Sequence, residues 1–343
     1  MIDNLSNKRI AIVGGGGFIG HNLALKLKEL GARPHIIDNL QVNNLGAFTH
    51  EYDKNPTARL YYRFINERLE LLRKADIPLH VVDARDYQLI SPHLASIEPE
   101  VVVHLAAVAH ANRANKDPYG TFDHSLRTLE NALDTVRERK SHFIYFSSSM
   151  VYGNFEGTDV TEDRRCDPIG IYAALKLAGE RLVIAYNQVF GLPYTILRPS
   201  ALYGERCVSR RVGQAFIENA IRGQAVTVNG DGSDRLDFTY IQDLIQGIVR
   251  CITQEKARNE TFNLTYGSAR SLNQMLEILK QHFPDVEVIH HQRDRLMPER
   301  GTLCVDKARE LLGYAPEHPL ESGFTKYIEW YKQLAEKEPA LFV

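Results

Sequence analysis

The stretch RIAIVGGGGFIG, residues 9–20, decides the fold. After Arg9 the residues 10–13 are apolar and mostly β-branched with no polar alternation, so 9–13 read as a strand buried on both faces. Four glycines follow at once, and residues 18–30 then take up helical periodicity. Gly14, Gly17 and Gly20 stand three apart. Glycines so placed permit a tight turn, a close approach of backbone to a pyrophosphate, and close packing of helix on strand. The helix N-terminus adds N–H groups and a partial positive charge. Gly14, Gly17, Phe18, Ile19 and Gly20 are therefore candidate cofactor-binding residues.

Further along, 35–38, 79–83, 101–105 and 143–147 read as more strands, each separated by apolar-periodic stretches. This alternation predicts an α/β fold, a doubly wound parallel sheet of the Rossmann kind. The second strand ends in Asp38-Asn39, 18 residues after Gly20. A carboxylate there accepts both hydroxyls of an adenosine ribose and repels a 2′-phosphate, which selects NAD over NADP. Residues 57–75 form a helix longer than a crossover needs, and its apolar positions 60, 61, 64, 65, 69, 71 and 72 suit one packed face rather than a docked partner. After about residue 195 the segments shorten, with turns at Pro199, Gly204, Gly223, Gly230, Gly232 and Gly267. The division expected is a cofactor domain over 1–195 and a smaller mixed α/β substrate lobe over 196–343, part of 226–265 returning to the first domain. Helices are expected over 306–312 and 321–334.

Composition narrows the function classes. The chain has 343 residues, 44% hydrophobic and 24% charged, which excludes a disordered or collagen-like protein. Its 41 Lys and Arg against 43 Asp and Glu leave a net charge of −2. That balance argues against a nucleic-acid or membrane-surface partner. Residues 1–4 show no leader pattern and no apolar run approaches the roughly 18 residues of a membrane span, so the expected location is cytoplasmic. Cys166, Cys207, Cys251 and Cys304 are far apart and read as idle thiols. His104, His110, His124, His290 and His291 lack metal-ligand spacing, and no metal is expected.

Ser147-Ser148-Ser149 closes one strand, and Tyr172 and Lys176 lie four apart on one helical face. A free phenol, with a pKa of about 10, is a poor base at neutral pH. A neighbouring ammonium and a bound nicotinamide's charge favour phenolate, and a serine hydroxyl completes a relay to a substrate oxygen.

GGGGFIG (14–20), IIDN (36–39), VVDARD (81–86), VVHLAA (102–107), FSSSMVYG (146–153), YAALK (172–176), LRPSALYG (197–204) and GDGSDRLDFTYIQD (230–243) occur in order over most of the chain. Together they resemble the extended short-chain dehydrogenase/reductases, in their nucleotide-sugar epimerase/dehydratase group, UDP-glucose 4-epimerase-like. The resemblance implies Ser148, Tyr172 and Lys176 as catalytic residues. It implies Asp83 and Ala84 at the adenine, Leu105, Ala106 and Ala107 at the pyrophosphate and ribose, and Pro199 beside the nicotinamide. Tyr172 and Lys176 would also touch the cofactor. Ser149, Met150, Arg210, Arg235 and Arg300 are the candidate substrate residues, with Arg300 favoured for the diphosphate. The group often has Asn where this chain has Ala201, and Arg where it has Leu236.

The implied activity is NAD-dependent epimerisation of a nucleotide-diphosphate sugar through a transient keto intermediate, with NAD regenerated. Dehydratase, decarboxylase and reductase remain as alternatives, and a non-catalytic NAD sensor as one from another class. Dehydratases of this group carry an acid pair directly after the relay hydroxyl; here those positions are Ser149 and Met150. A homodimer is expected through helices over 119–139 and 172–190, on Leu126, Leu129, Leu133, Leu175, Leu182, Val183 and Tyr186.

Overall fold

The computed structural model describes residues 5–52, 55–108, 111–157, 159–293 and 296–343. Residues 1–4 and His110 lie outside the described residues. The first strand, β1 (Arg9–Val13), pairs in parallel with β2 (Arg33–Asp38) on one side and β4 (Val101–His104) on the other. Ile12 stands opposite Ile36 and Val103, and residues Ile10 to Val13 are buried. β3 (Leu79–Val81) extends the sheet beyond β2. β5 (His142–Phe146), β6 (Tyr194–Arg198) and β8 (Glu260–Asn263) extend it beyond β4. All seven strands are parallel, in the order β8-β6-β5-β4-β1-β2-β3. Strand order reverses between β1 and β4, which opens a crevice at their carboxyl ends.

Two expected strands end early for local reasons. β3 stops at Val81 because Asp83 turns the chain: its carboxylate accepts the Arg85 N–H at 3.0 Å and its carbonyl accepts the Asp86 N–H. β4 stops at His104, and the N–H groups of Leu105 and Ala106 both return to the Val13 carbonyl.

β6 runs through residue 195, so the expected boundary falls inside a strand of the main sheet. β8 returns to that sheet, whereas β7 (Val226–Asn229) pairs with β9 (Val288–His291) in the second lobe. That lobe also holds the helices Val212–Ile221, Leu272–His282, Asp306–Leu312 and Leu320–Lys337.

The long helix is α2 (Pro56–Lys74), following α1 (Phe18–Glu29). Asn55 caps it by accepting the Thr57 N–H at 3.0 Å, and proline takes the first helical position. Leu60, Tyr61, Phe64, Ile65 and Leu72 are buried; Leu69 and Leu71 are half-buried. Phe64 packs on Trp330 at 5.0 Å and Tyr331 at 5.8 Å, so α2 joins the cofactor side to the second lobe. Among the described residues no helix is long and apolar enough to cross a membrane.

Candidate active site

A cleft lies at the crevice between β1 and β4. Gly14, Gly17, Phe18, Ile19, Gly20, Asp38, Asn39, Asp83, Ala84, Leu105, Ala106 and Ala107 all line it. Gly14 has φ +80°, and a Cβ there would stand 2.6 Å from the Ala106 nitrogen. A Cβ on Gly20 would stand 2.4 Å from the Gly15 Cα. Only glycine allows this turn to lie against the next strand and its own helix. Gly17 caps α1 without a side-chain bond, leaving first-turn N–H groups for an anionic ligand.

The Asp38 carboxylate accepts the N–H of Gly16 at 2.9 Å and of Leu40 at 2.7 Å. Burial raises its pKa, opposed by those two N–H groups and by Arg68. Asp83 is paired with Arg85 at 2.6 Å and held down to about 2. A bare-backbone cradle with a carboxylate at the end of β2 fits a dinucleotide with free ribose hydroxyls. His124 lines the same cleft, its Nε2 3.3 Å from Arg85 Nη1.

A second cleft continues from the first, sharing Ile19, Leu105, Ala107, Leu202 and Arg211. Ser148, Ser149, Met150, Tyr172, Lys176 and Pro199 line it. Tyr172 and Lys176 lie on one helix, Ile171–Phe190. The Ser148 hydroxyl accepts the Met150 N–H at 3.2 Å and lies near enough to the Tyr172 phenol to lower its pKa. Burial raises the phenol's pKa, while Arg211 and Ser148 oppose it. Lys176 donates to the Phe146 carbonyl at 2.6 Å, and burial pushes it down to about 8. Arg211 is a cation that lowers the phenol's pKa, and the Lys176 ammonium, held by the Phe146 carbonyl, lines the same cleft. Pro199 lies on the catalytic side of the junction, where its carbonyl accepts the Ser149 N–H.

A buried network stands behind the pair. Ser147 donates to Glu180 at 2.5 Å, and Arg198 grips both Glu180 oxygens at 2.9 and 2.7 Å. Arg198 also donates to the Tyr152 hydroxyl at 2.9 Å, which donates to Asn263 at 2.8 Å. Sequence reading missed this network, although Glu180 stands four residues after Lys176, on the same helical face.

The second cleft carries several cations, beginning with Arg211 at its junction with the first. Arg211, Arg235, Arg293 and Arg300 line it. Arg300 is half-buried, with an enclosed Nε lacking a hydrogen-bond partner; burial, with Arg211 and Arg293 adding repulsion, pushes it down to about 10. Arg235 donates to the Ala269 carbonyl at 2.6 Å. Arg210 is a correction: at φ +44° its side chain turns to Asn219, and it lines neither cleft. Its neighbour Arg211, opening the helix Val212–Ile221, takes that place. Ala201 has φ +41°, a conformation that Asn adopts more readily than Ala, which fits the Asn often found there.

Asp234 is the one carboxylate among the described residues lining the second cleft, and Arg293 holds both its oxygens at 3.0 Å. Asp237 is buried elsewhere, accepting from Thr265, Gly267 and Leu303, and Glu205 accepts from Tyr240. No group of three or more His, Cys, Asp or Glu among the described residues could hold a metal ion.

Residues 10–265 match the NAD dependent epimerase/dehydratase family. The chain belongs to that family. Its cofactor is NAD, in keeping with the cradle and Asp38. A protein of Methanocaldococcus jannaschii named a putative UDP-glucose 4-epimerase is 29% identical, covering 94% of this chain and 98% of its own. The dTDP-glucose 4,6-dehydratase 1 of Escherichia coli is 25% identical, covering 94% and 92%. The crystal structure of a UDP-glucuronic acid 4-epimerase from Bacillus cereus, bound to UDP-glucuronic acid and NAD, superposes with a TM-score of 0.83 at 26% identity, covering 95% and 99%.

Proposed function

We propose that this family member is an NAD-dependent epimerase of a nucleotide-diphosphate sugar, acting through a transient keto sugar. The observation that carries this reading is that, among the described residues, no available carboxylate stands beside the relay. Eliminating water next to a ketone needs one group to take a carbon-bound proton and another to protonate the leaving hydroxyl. Ser149 and Met150 can do neither at neutral pH. Asp234 is locked to Arg293, and neither Asp237 nor Glu205 lines the cleft.

Bound NAD supplies a reversible hydride acceptor. The chain's own residues do the rest. Tyr172 takes the proton of a sugar hydroxyl and returns it, Ser148 orients that hydroxyl, and Arg211 favours the phenolate. Arg300, assisted by Arg211 and Arg235, holds the diphosphate; a planar guanidinium suits two phosphate oxygens at once. A non-catalytic sensor would have no need of the Ser148, Tyr172 and Lys176 set.

The assembly proposed is a homodimer in the cytoplasm. Leu129, Leu133 and Val183 are buried within their own chain and drop out of the expected interface. Leu126, Leu175, Leu182 and Tyr186 stay partly exposed. Tyr119 at 83% and Val189 at 71% exposure, with Phe122, Ile171 and Phe190, are apolar surface on the same helical region. A second copy would cover it.

The activity is tested by incubating the NAD-loaded protein with UDP-, dTDP-, GDP- and CDP-sugars and separating the products. One nucleotide sugar is expected to equilibrate with its epimer. Conversion of none would leave the sensor reading in place.

A further inference from the structure

The helix α2 carries an arginine on its buried apolar face. Leu60, Phe64 and Leu72 share that face, yet Arg68 is fully buried among them. A buried guanidinium is costly, and packing alone would be better served by Leu or Met. Its Nε donates to the Arg206 carbonyl at 3.0 Å, and its Nη2 donates to the same oxygen.

Arg206 lies in the loop 204–211, between Leu202–Tyr203 and the helix Val212–Ile221. Its side chain is held from two further directions. Nε donates to His21 Nε2 at 3.2 Å, and Nη1 donates to Glu67 at 3.3 Å. Since His21 Nε2 accepts, its Nδ1 bears the proton and donates to the Gly17 carbonyl at 2.9 Å. Burial, with Arg68 and Arg206 beside it, keeps that imidazole neutral. The cofactor turn is thus tied to Arg206 through His21, and Arg206 is tied to α2 through Arg68 and Glu67. Val208 and Ser209 then line the cofactor cleft, and Arg211 lines both clefts.

We propose that Arg68 is a positioning residue: with His21 it clamps the loop 204–211 to the cofactor turn and so sets Arg211 across the cofactor and substrate clefts. Helix α2 then has a purpose beyond packing, because it ties the place where the dinucleotide binds to the cation that meets the substrate. Arg68 itself touches neither ligand and acts through Arg211. The loop half of this proposal stands on geometry alone; its effect on substrate rests on the diphosphate reading of the arginine-lined cleft.

The test uses the full-length, NAD-loaded protein as wild type, Arg68→Met, Arg68→Lys and Arg206→Gln. Hydrogen exchange is followed by mass spectrometry over residues 204–211. Arg68→Met and Arg206→Gln should raise exchange there roughly tenfold or more relative to the sheet strands, and Arg68→Lys should restore part of the protection. Should Arg68→Met fail to fold, Arg68→Lys, which should exchange faster than wild type, decides the Arg68 tie, and Arg206→Gln, which keeps the carbonyl but loses the bonds to His21 and Glu67, decides the His21 tie. Unchanged exchange in the variants that fold overturns the clamp.

UDP binding is then measured by calorimetry in wild type, Arg68→Met, Arg211→Gln and the double variant. If Arg68 acts through Arg211, Arg68→Met weakens UDP about tenfold and the double variant binds no more weakly than Arg211→Gln. Multiplying effects would mean a general structural role and overturn the positioning claim. If wild type binds none of UDP, dTDP, GDP and CDP, the diphosphate reading fails, and the exchange result still decides the clamp; if it binds another of these, that nucleotide replaces UDP in the cycle.

Discussion

At Tyr172, burial raises the pKa of the phenol while Arg211 and Ser148 lower it. Tyr172→Phe removes the ionisable oxygen and little else. It should keep the fold and NAD binding yet lose roughly 10²–10⁴-fold in turnover, with Ser148→Ala losing less. Steady-state kinetics on the turned-over sugar checks both, and near wild-type turnover by Tyr172→Phe would contradict the relay. Asp38→Ala should weaken NAD by about 1–3 kcal/mol, the scale of hydrogen bonds to a charged group, with calorimetry as the check. Lys176 gives a pH prediction. Its folded pKa of about 8 lies below the ordinary 10.5. Between these values the unfolded chain holds the proton and the folded one does not. Stability therefore rises with pH across that window. Urea midpoints of wild type should gain on those of Lys176→Met between pH 8 and 10.5, and parallel curves would show no such shift. The glycines, Asp38, Ser148, Tyr172 and Lys176 were legible because each belongs to a short local pattern. Arg211 was not, since only the positive φ of Arg210 tells which of two adjacent arginines faces the clefts.

Helix α2 was legible as an element but not in its partners. Its stripe showed one packed face; nothing local names Trp330 and Tyr331 as what it packs on. Tyr61 and Tyr331 both donate to the buried Glu218, at 3.1 and 2.8 Å, a link between α2 and the second lobe that only tertiary structure reveals. Phe64→Ala should cost about 3–5 kcal/mol by leaving a cavity at this junction. Denaturant unfolding measures it, and a loss below about 1 kcal/mol would mean that the helix is not a structural tie. The expected boundary at residue 195 falls inside β6, for a similar reason. β6 and β8 pair in parallel across more than sixty residues of intervening chain, and turn composition does not report such a pairing.

On the scale of the whole molecule, two clefts share one wall, the glycine cradle lining the first, the relay and most of the arginines the second, and Arg211 both. Fold class and cofactor were plain in the sequence because each motif sits at a strand end of the sheet. The missed elements, Arg293 with Asp234 and the Glu180–Arg198 pair, join segments far apart in the chain. Light scattering at micromolar concentration should give the mass of two chains, and one chain would refute the proposed dimer. The account turns most on what happens after the sugar is oxidised. The measurement is to run the substrate in deuterated water and examine the product by mass spectrometry and NMR. An epimer of unchanged mass, with no solvent deuterium on carbon, is the result predicted; a product lighter by one water, a stable keto-deoxy sugar, would contradict it.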